Sequence, residues 1–243
     1  GGRKSILPGV CSRKSIFTNH SLNLAPGGGS HPGAATMQLD GNPIHEDMID
    51  ALRFVDVTFS VNVIARHGDR PEAFFSGDIC AAHLQACRAA RGIMGLPIAN
   101  RFDWVIASCG GSPKDINLYQ SHKSLDNAFR AARPGGTIIL AAHCGDGAGP
   151  PGFIDWFETG DREFIEAELR KEFSVMGHTA LRTLEKTSAC RVFLVSSLPD
   201  EIVRSTGMVP AGSIGEAVEK ARISGDGGAV LSSASSTVPL PPD

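Results

Sequence analysis

Between residues 102 and 233, short runs of aliphatic and β-branched residues alternate with stretches at helical spacing, and this alternation constrains the fold more than any other feature. The apolar runs are DWVIAS (103–108), TIILAAH (137–143), RVFLVSSL (191–198) and GAVLSS (228–233). The intervening helical stretches run from Ser112 to about Arg133, over DREFIEAELRKEF (161–173), around 179–187, and from the capping box Ser213-Ile214-Gly215-Glu216 to about Ile223. Strands joined by helices rather than tight turns must run parallel, so the expected class is α/β, a mostly parallel sheet with helices on both faces. In such sheets ligands sit beyond the carboxyl ends of the strands. Those ends are SCGGSP, AAHCGDGAGPP and SSLPD.

The helix after SCGGSP is expected to take Ser112 as its N-cap, Pro113 at its first position and Asp115 in its first turn. Gln120 and Lys123 lie three residues apart on one of its faces, with Asn117 and Asn127, while Leu118, Leu125, Phe129 and Ala132 mark the buried face. From the pattern alone, that polar face is either wet or turned toward a ligand.

Upstream of residue 101 the sequence reads as a separate, smaller unit, giving units of 1–100 and 101–243. It opens with GGRKSILPG, a turn punctuated by Pro8-Gly9, in which Gly1 and Gly2 allow close backbone approach, and a short helix follows. Residues 25–36 (APGGGSHPGAAT) are a loop by composition. GNPIHEDMIDALRFV places Met48, Ile49, Leu52 and Val55 at helical spacing. VTFSVNVIA (57–65) reads as a strand burying Val57, Phe59, Val61 and Val63, and 78–93 as an alanine-rich helix.

Composition narrows the function. A net charge of −3 with scattered basic residues predicts no nucleic-acid partner. No apolar run approaches a membrane span and no charged segment precedes an apolar one at the start, so a soluble, cytoplasmic protein is expected. Cys11, Cys80, Cys87, Cys109, Cys144 and Cys190 are widely spaced, form no CxxC pair, and read as reduced thiols rather than a zinc site or disulfide frame. There is no G-x-G-x-x-G opening a helix and no Walker lysine, which leaves GDGAG (145–149) as a crossover loop or a phosphate contact. On spacing alone Lys4 is a solvated loop lysine like Lys14, and His20 is one histidine among eight. His31, His45, His67, His83, His122 and His143 offer no ligand pairing, and His45 belongs to the first turn of a helix beside Glu46 and Asp47.

Taken in order, GGRKSILPG, Asn19-His20, GNPIHED, PKDINLYQSHK (113–123) and RPGGTIILAA (133–142) resemble the lactate racemase family along nearly the whole chain. GGxKxIxPG and PKDINxYQxxK are long, unusual strings. The resemblance implies an isomerase, a racemase or epimerase of a lactate-like 2-hydroxy acid. Its cofactor would be nickel in a pincer nucleotide, pyridinium-3,5-bisthiocarboxylic acid mononucleotide, supplied by cofactor-synthesis proteins. By position in the motifs, Lys4 would bear the cofactor through a thioamide, His20 would ligate nickel, and Gln120 and Lys123 would be active-site residues of the second domain.

The implied reaction removes the substrate's α-hydrogen as hydride to the pyridinium ring, passes through a planar 2-keto acid, and returns the hydride to the other face. Residues 1–100 would be the C-terminal part of the cofactor-bearing domain, and 101–243 the domain that closes over the active site. The family's upstream segment, with two acid/base histidines and a substrate-binding arginine, has no counterpart in this chain. Its late active-site tryptophan has no match around GHTALRTLEK, where His178 lies. Two other readings stay open: a plain nucleotide- or sugar-phosphate-binding α/β enzyme without nickel, and a non-catalytic remnant.

Overall fold

The computed structural model describes residues 2–66 and 70–242; Gly1 and His67, both singled out in the sequence, lie outside them. The chain divides into two compact units, Gly1–Met94 and Gly95–Asp243.

The first unit begins with a 3-10 turn, Gly2–Ser5, and helix α1, Arg13–Ser21, capped by the Ser12 side chain. Helix α2, Pro43–Asp50, is capped by Asn42 with Pro43 in its first turn, and continues as a 3-10 turn, Ala51–Phe54. Strands β1, Ser60–Arg66, and β2, Arg70–Gly77, pair antiparallel, and helix α3, Ile79–Met94, follows. The strand expected at 57–65 is present, but its buried face is the opposite one. Asn62 and Ile64 are buried, whereas Phe59, Val61 and Val63 are 63%, 56% and 51% exposed. Alternation identifies the two faces of a strand, not which one a neighbour covers. Here α3 packs on the hairpin and buries Ile79, Ala82 and Ala86.

The second unit begins with β3, Gly95–Pro97, earlier than the expected boundary at 101. The physical reason is a pairing: β3 runs parallel to β9, Val238–Leu240, so residues 95–97 are tied to the far end of the chain. The remaining strands, β4 (Phe102–Ser108), β5 (Ala132–Ala141), β6 (Arg191–Val195), β7 (Val209–Ala211) and β8 (Gly228–Leu231), form one sheet. Its order is β7-β6-β5-β4-β8, with every neighbour parallel. Val105, Ala107, Ile138, Ile139, Leu140, Val192, Phe193 and Leu194 on its central strands are 1% exposed or less, as a sheet covered on both faces requires.

Five helices connect these strands. They are α4 (Leu118–Ala131), α5 (Arg162–Lys171), α6 (Val175–Ala189), α7 (Asp200–Ser205) and α8 (Ile214–Ala221). Helix α4 starts later than the Ser112 cap predicts. Asn117 is its N-cap, its side chain accepting from the Gln120 N–H at 2.9 Å. The carbonyls of Asp115 and Ile116 accept instead from the N–H groups of Cys144 and Asp146, each at 2.8 Å, which takes those residues out of any helical ladder. Asn127 is not on a wet face either. It is buried, and donates to the Ala234 carbonyl at 2.6 Å.

Between α4 and α6 lies a charged group with limited access to water. Lys186, 3% exposed, pairs with Asp126 at 2.5 Å, and Arg182 approaches the same carboxylate at 3.4 Å. Burial alone would push the Asp126 carboxyl up, but Lys186 and Arg182 outweigh it and hold it low. His178 sits within this cationic neighbourhood with its Nε2 buried and unpaired. Burial, then Arg182 and Lys186, push its pKa from near 6.5 to about 4. Below pH 6.5 the unfolded chain therefore binds a proton that the native state refuses. Stability is expected to fall by roughly 2–3 kcal/mol as pH drops from 6.5 toward 4 through this group alone. Urea unfolding of His178→Gln, compared with the parent across that window, checks it: the variant's pH slope is shallower.

Candidate active site

The loops at the carboxyl edge of the sheet are hydrogen-bonded to one another. Cys109 N–H donates to Ala141 at 3.1 Å, Ala142 N–H to Val195 at 3.0 Å, Ser197 N–H to His143 at 3.0 Å, and Ala234 N–H to Ser108 at 2.8 Å. The segment 115–119 also pairs with 144–148: beyond the Asp115 and Ile116 contacts, the N–H groups of Leu118 and Tyr119 donate to Gly147 and Ala148 at 3.2 and 2.9 Å. Gly149, at φ 136°, packs against the Tyr119 side chain so closely that a Cβ there would lie 2.5 Å from the tyrosine Cβ. Tyr119 packs edge-on to Phe153, and Phe153 on Phe157, beneath the helix start. The start of α4 is thereby fixed from below and from the side.

On that fixed turn stand Gln120 and Lys123. The Lys123 ammonium donates to the Gln120 side-chain oxygen at 2.8 Å, and Lys123 is exposed while Gln120 is half-buried. The pairing turns the Gln120 amide so that its NH2 remains a donor, beside a cation: a pair suited to carboxylate or oxyanion oxygens. The GDGAG loop is a weaker candidate for phosphate, because the Cys144, Asp146 and Gly147 N–H groups already donate to Asp115, Ile116 and Cys144.

In the first unit, GRKSILPG coils into a tight turn in which Ile6 and Leu7 N–H groups donate to Arg3 and the Gly9 N–H to Lys4 at 2.8 Å. A Cβ on Gly9 would lie 2.1 Å from the Ser5 carbonyl oxygen, so only glycine closes the turn. Lys4 is exposed and, among the described residues, forms no ion pair. His20, on α1, is half-buried, and its Nδ1 donates to the Ile16 carbonyl at 2.8 Å. Burial pushes this imidazole below its ordinary value, the Ile16 bond offsets part of that, and the nearby Lys4 ammonium pushes it down again. The structure thus brings Lys4 and His20, separated by sixteen residues, into one electrostatic neighbourhood.

Other placements differ from the sequence reading. His45, assigned only to a helix turn, accepts from the Arg3 guanidinium at 2.8 Å through Nε2 and stacks on His83 with ring centroids 5.9 Å apart. Arg3 itself, which the sequence reading passed over, is 3% exposed. Its sole sequence signal was its place beside Lys4. All six cysteines are free thiols, and among the described residues no group of three or more His, Cys, Asp or Glu is arranged to hold a metal ion. Among those residues, no helix is long and apolar enough to cross a membrane.

The His20 geometry has a direct readout. Nitrogen-15 NMR of the side chain is expected to show the Nδ1-protonated tautomer at neutral pH, with a titration midpoint that rises in Lys4→Met. An Nε2-protonated ring would contradict the Ile16 bond.

Comparison with known proteins places these residues in context. The family model of the lactate racemase C-terminal domain matches residues 98–232, and that of the lactate racemase N-terminal domain matches residues 1–30. The first range contains Gln120 and Lys123, the second Lys4 and His20. The lactate racemase of Thermoanaerobacterium thermosaccharolyticum is 40% identical over 158 residues, covering 65% of this chain and 36% of that protein. The lactate racemase of Lactiplantibacillus plantarum is 32% identical over 234 residues, covering 91% of this chain and 52% of the relative. The structure of the lactate racemase apoprotein from T. thermosaccharolyticum superposes with a TM-score of 0.90 at 34% identity, covering 99% of this chain and 58% of that one. A Thermotoga maritima protein at 15% identity and a TM-score of 0.67 shares the fold. The chain spans only about a third to a half of the two relatives' lengths. With more than half of its residues matched by the C-terminal domain model, the chain belongs to the lactate racemase family.

Proposed function

We propose that this chain carries the cofactor anchor and part of the substrate contacts of a racemase or epimerase acting on a lactate-like 2-hydroxy acid. The observation that carries this reading is His20, its Nδ1 bonded to Ile16 and its imidazole pushed down by burial with Lys4 close enough to add to that, within a stretch matched by the family's N-terminal domain. In this reading the first unit carries the cofactor anchor, and the second carries polar groups suited to substrate oxygens.

The residues fit a lysine-borne nickel-pincer nucleotide. Lys4 presents an amine engaged in no ion pair among the described residues. His20, with Nδ1 committed to Ile16, carries its lone pair on Nε2, the form in which imidazole ligates a metal. Imidazole suits nickel, and one protein ligand suffices where the nucleotide brings the other donors. When bound, that group supplies reversible hydride acceptance.

The protein's part is orientation and charge. Lys123 neutralises a substrate carboxylate or a developing oxyanion, and Gln120, held by the Lys123 bond, donates its amide N–H to a substrate oxygen. Neither residue takes the hydroxyl proton. Cofactor-synthesis proteins would be obligatory partners, and the cytoplasm the place of action.

The test is interconversion of D- and L-lactate by the protein in its full encoded length, co-expressed with cofactor-making proteins. Lys4→Arg is expected to abolish it, since a guanidinium cannot take the thioamide link. Lys123→Met is expected to lower kcat/KM by about a hundredfold, the loss of a charged hydrogen bond. Full activity in Lys4→Arg would overturn the reading.

A further inference from the structure

The guanidinium of Arg3 is buried and, among the described residues, pairs with no carboxylate. Burying such a charge without a counter-charge costs several kcal/mol, and five N–H donors need acceptors. Among the described residues Arg3 has one side-chain acceptor, the Nε2 of His45 at 2.8 Å, and its Nε is buried with no partner. The acidic groups nearby do not relieve it: Glu46 accepts from the Gly41 N–H at 2.9 Å, and Asp40 is exposed.

The imidazoles beside it add no negative charge. Burial and then Arg3 hold His45 low, and the same two causes lead in pushing His83 to about 4, so both rings are neutral at pH 7. Arg3 lines a cavity of about 430 Å³, whose wall also includes Lys4, Met37, Asn42, His45 and His83. That volume lies in the range of small-molecule sites.

We propose that this cavity is an oxyanion-binding site, in which Arg3, oriented by His45, takes the phosphate of a nucleotide or the carboxylate of a small acid. Nature places an unpaired guanidinium where planar, multiple hydrogen bonding to carboxylate or phosphate is needed. Lys4 lines the same cavity. His45 is then a positioning residue, its Nε2 fixing one edge of the guanidinium fork. The site goes beyond the racemase reading, because it is formed by the unmodified chain and needs neither nickel nor a bond at Lys4.

The experiment follows the Arg3 side chain directly. Nitrogen-15 NMR of its Nε–H is recorded on the unmodified protein at constant ionic strength, during titration with inorganic phosphate and, separately, with L-lactate. A saturable shift with phosphate assigns the site to a phosphate group, and one with lactate assigns it to a carboxylate. Either supports the proposal. Affinity for the responding anion is expected to fall at least about tenfold in Arg3→Gln and less in His45→Gln. The wild-type signal keeps the test decisive even where Arg3→Gln disturbs the turn. No shift with either anion, or the same shift with chloride, overturns it, and the Lys4 reading would stand or fall separately.

Discussion

The rest of the second unit depends on how the loops at the carboxyl edge of its sheet hydrogen-bond to one another. The N–H groups of Cys144 and Asp146 donate to the carbonyls of Asp115 and Ile116, and those of Leu118 and Tyr119 donate to Gly147 and Ala148. This pairing denies the 113–116 stretch a helical ladder, so α4 begins at Leu118 with Asn117 as its cap. It also fixes where Gln120 and Lys123 stand. A parallel sheet provides such an edge because all its strands end on one side, and here the strand-end loops occupy each other's backbone groups. The consequence is a rigid platform for two polar side chains rather than an open phosphate-binding nest.

The first unit solves a different problem. Its opening turn is closed by Gly9 on the Ser5 carbonyl, and the turn sends neighbouring residues in different directions: Lys4 is exposed and Arg3 buried. Burial pushes the His20 imidazole down, and Lys4 nearby adds to that. A lysine that gives up its charge on acylation would no longer disfavour positive charge at His20, which makes the two compatible with a metal held close to a modified lysine.

Much of the second unit was legible in sequence. The runs at 103–108, 137–143, 191–198 and 228–233 correspond to β4, β5, β6 and β8, because buried parallel strands read as continuous apolar segments. The three-residue strands β3, β7 and β9 and the six-residue α7 escaped notice, being too short for any periodicity. The boundary at residue 95 depends on pairing with β9 more than a hundred residues away, which no local pattern records. The exposed face of β1 was misjudged for a related reason: Val61 and Val63 look like core, but α3 covers the side carrying Ile64. Of the candidate site, the motif strings marked Lys4, His20, Gln120 and Lys123. The burial of Arg3 and the His45–His83 stack came only with three dimensions, since a basic residue in a glycine-rich turn gives no sign of facing inward.

The proposed role of Lys4 is that of a chemical anchor rather than a surface charge. Mass spectrometry of the Lys4 peptide, with nickel content measured on the same sample of full-length protein made alongside the cofactor-synthesis proteins, tests it most directly. A nucleotide-sized adduct on Lys4 is expected, with nickel in equal amount that is lost in His20→Ala. An unmodified Lys4 with no nickel would contradict it.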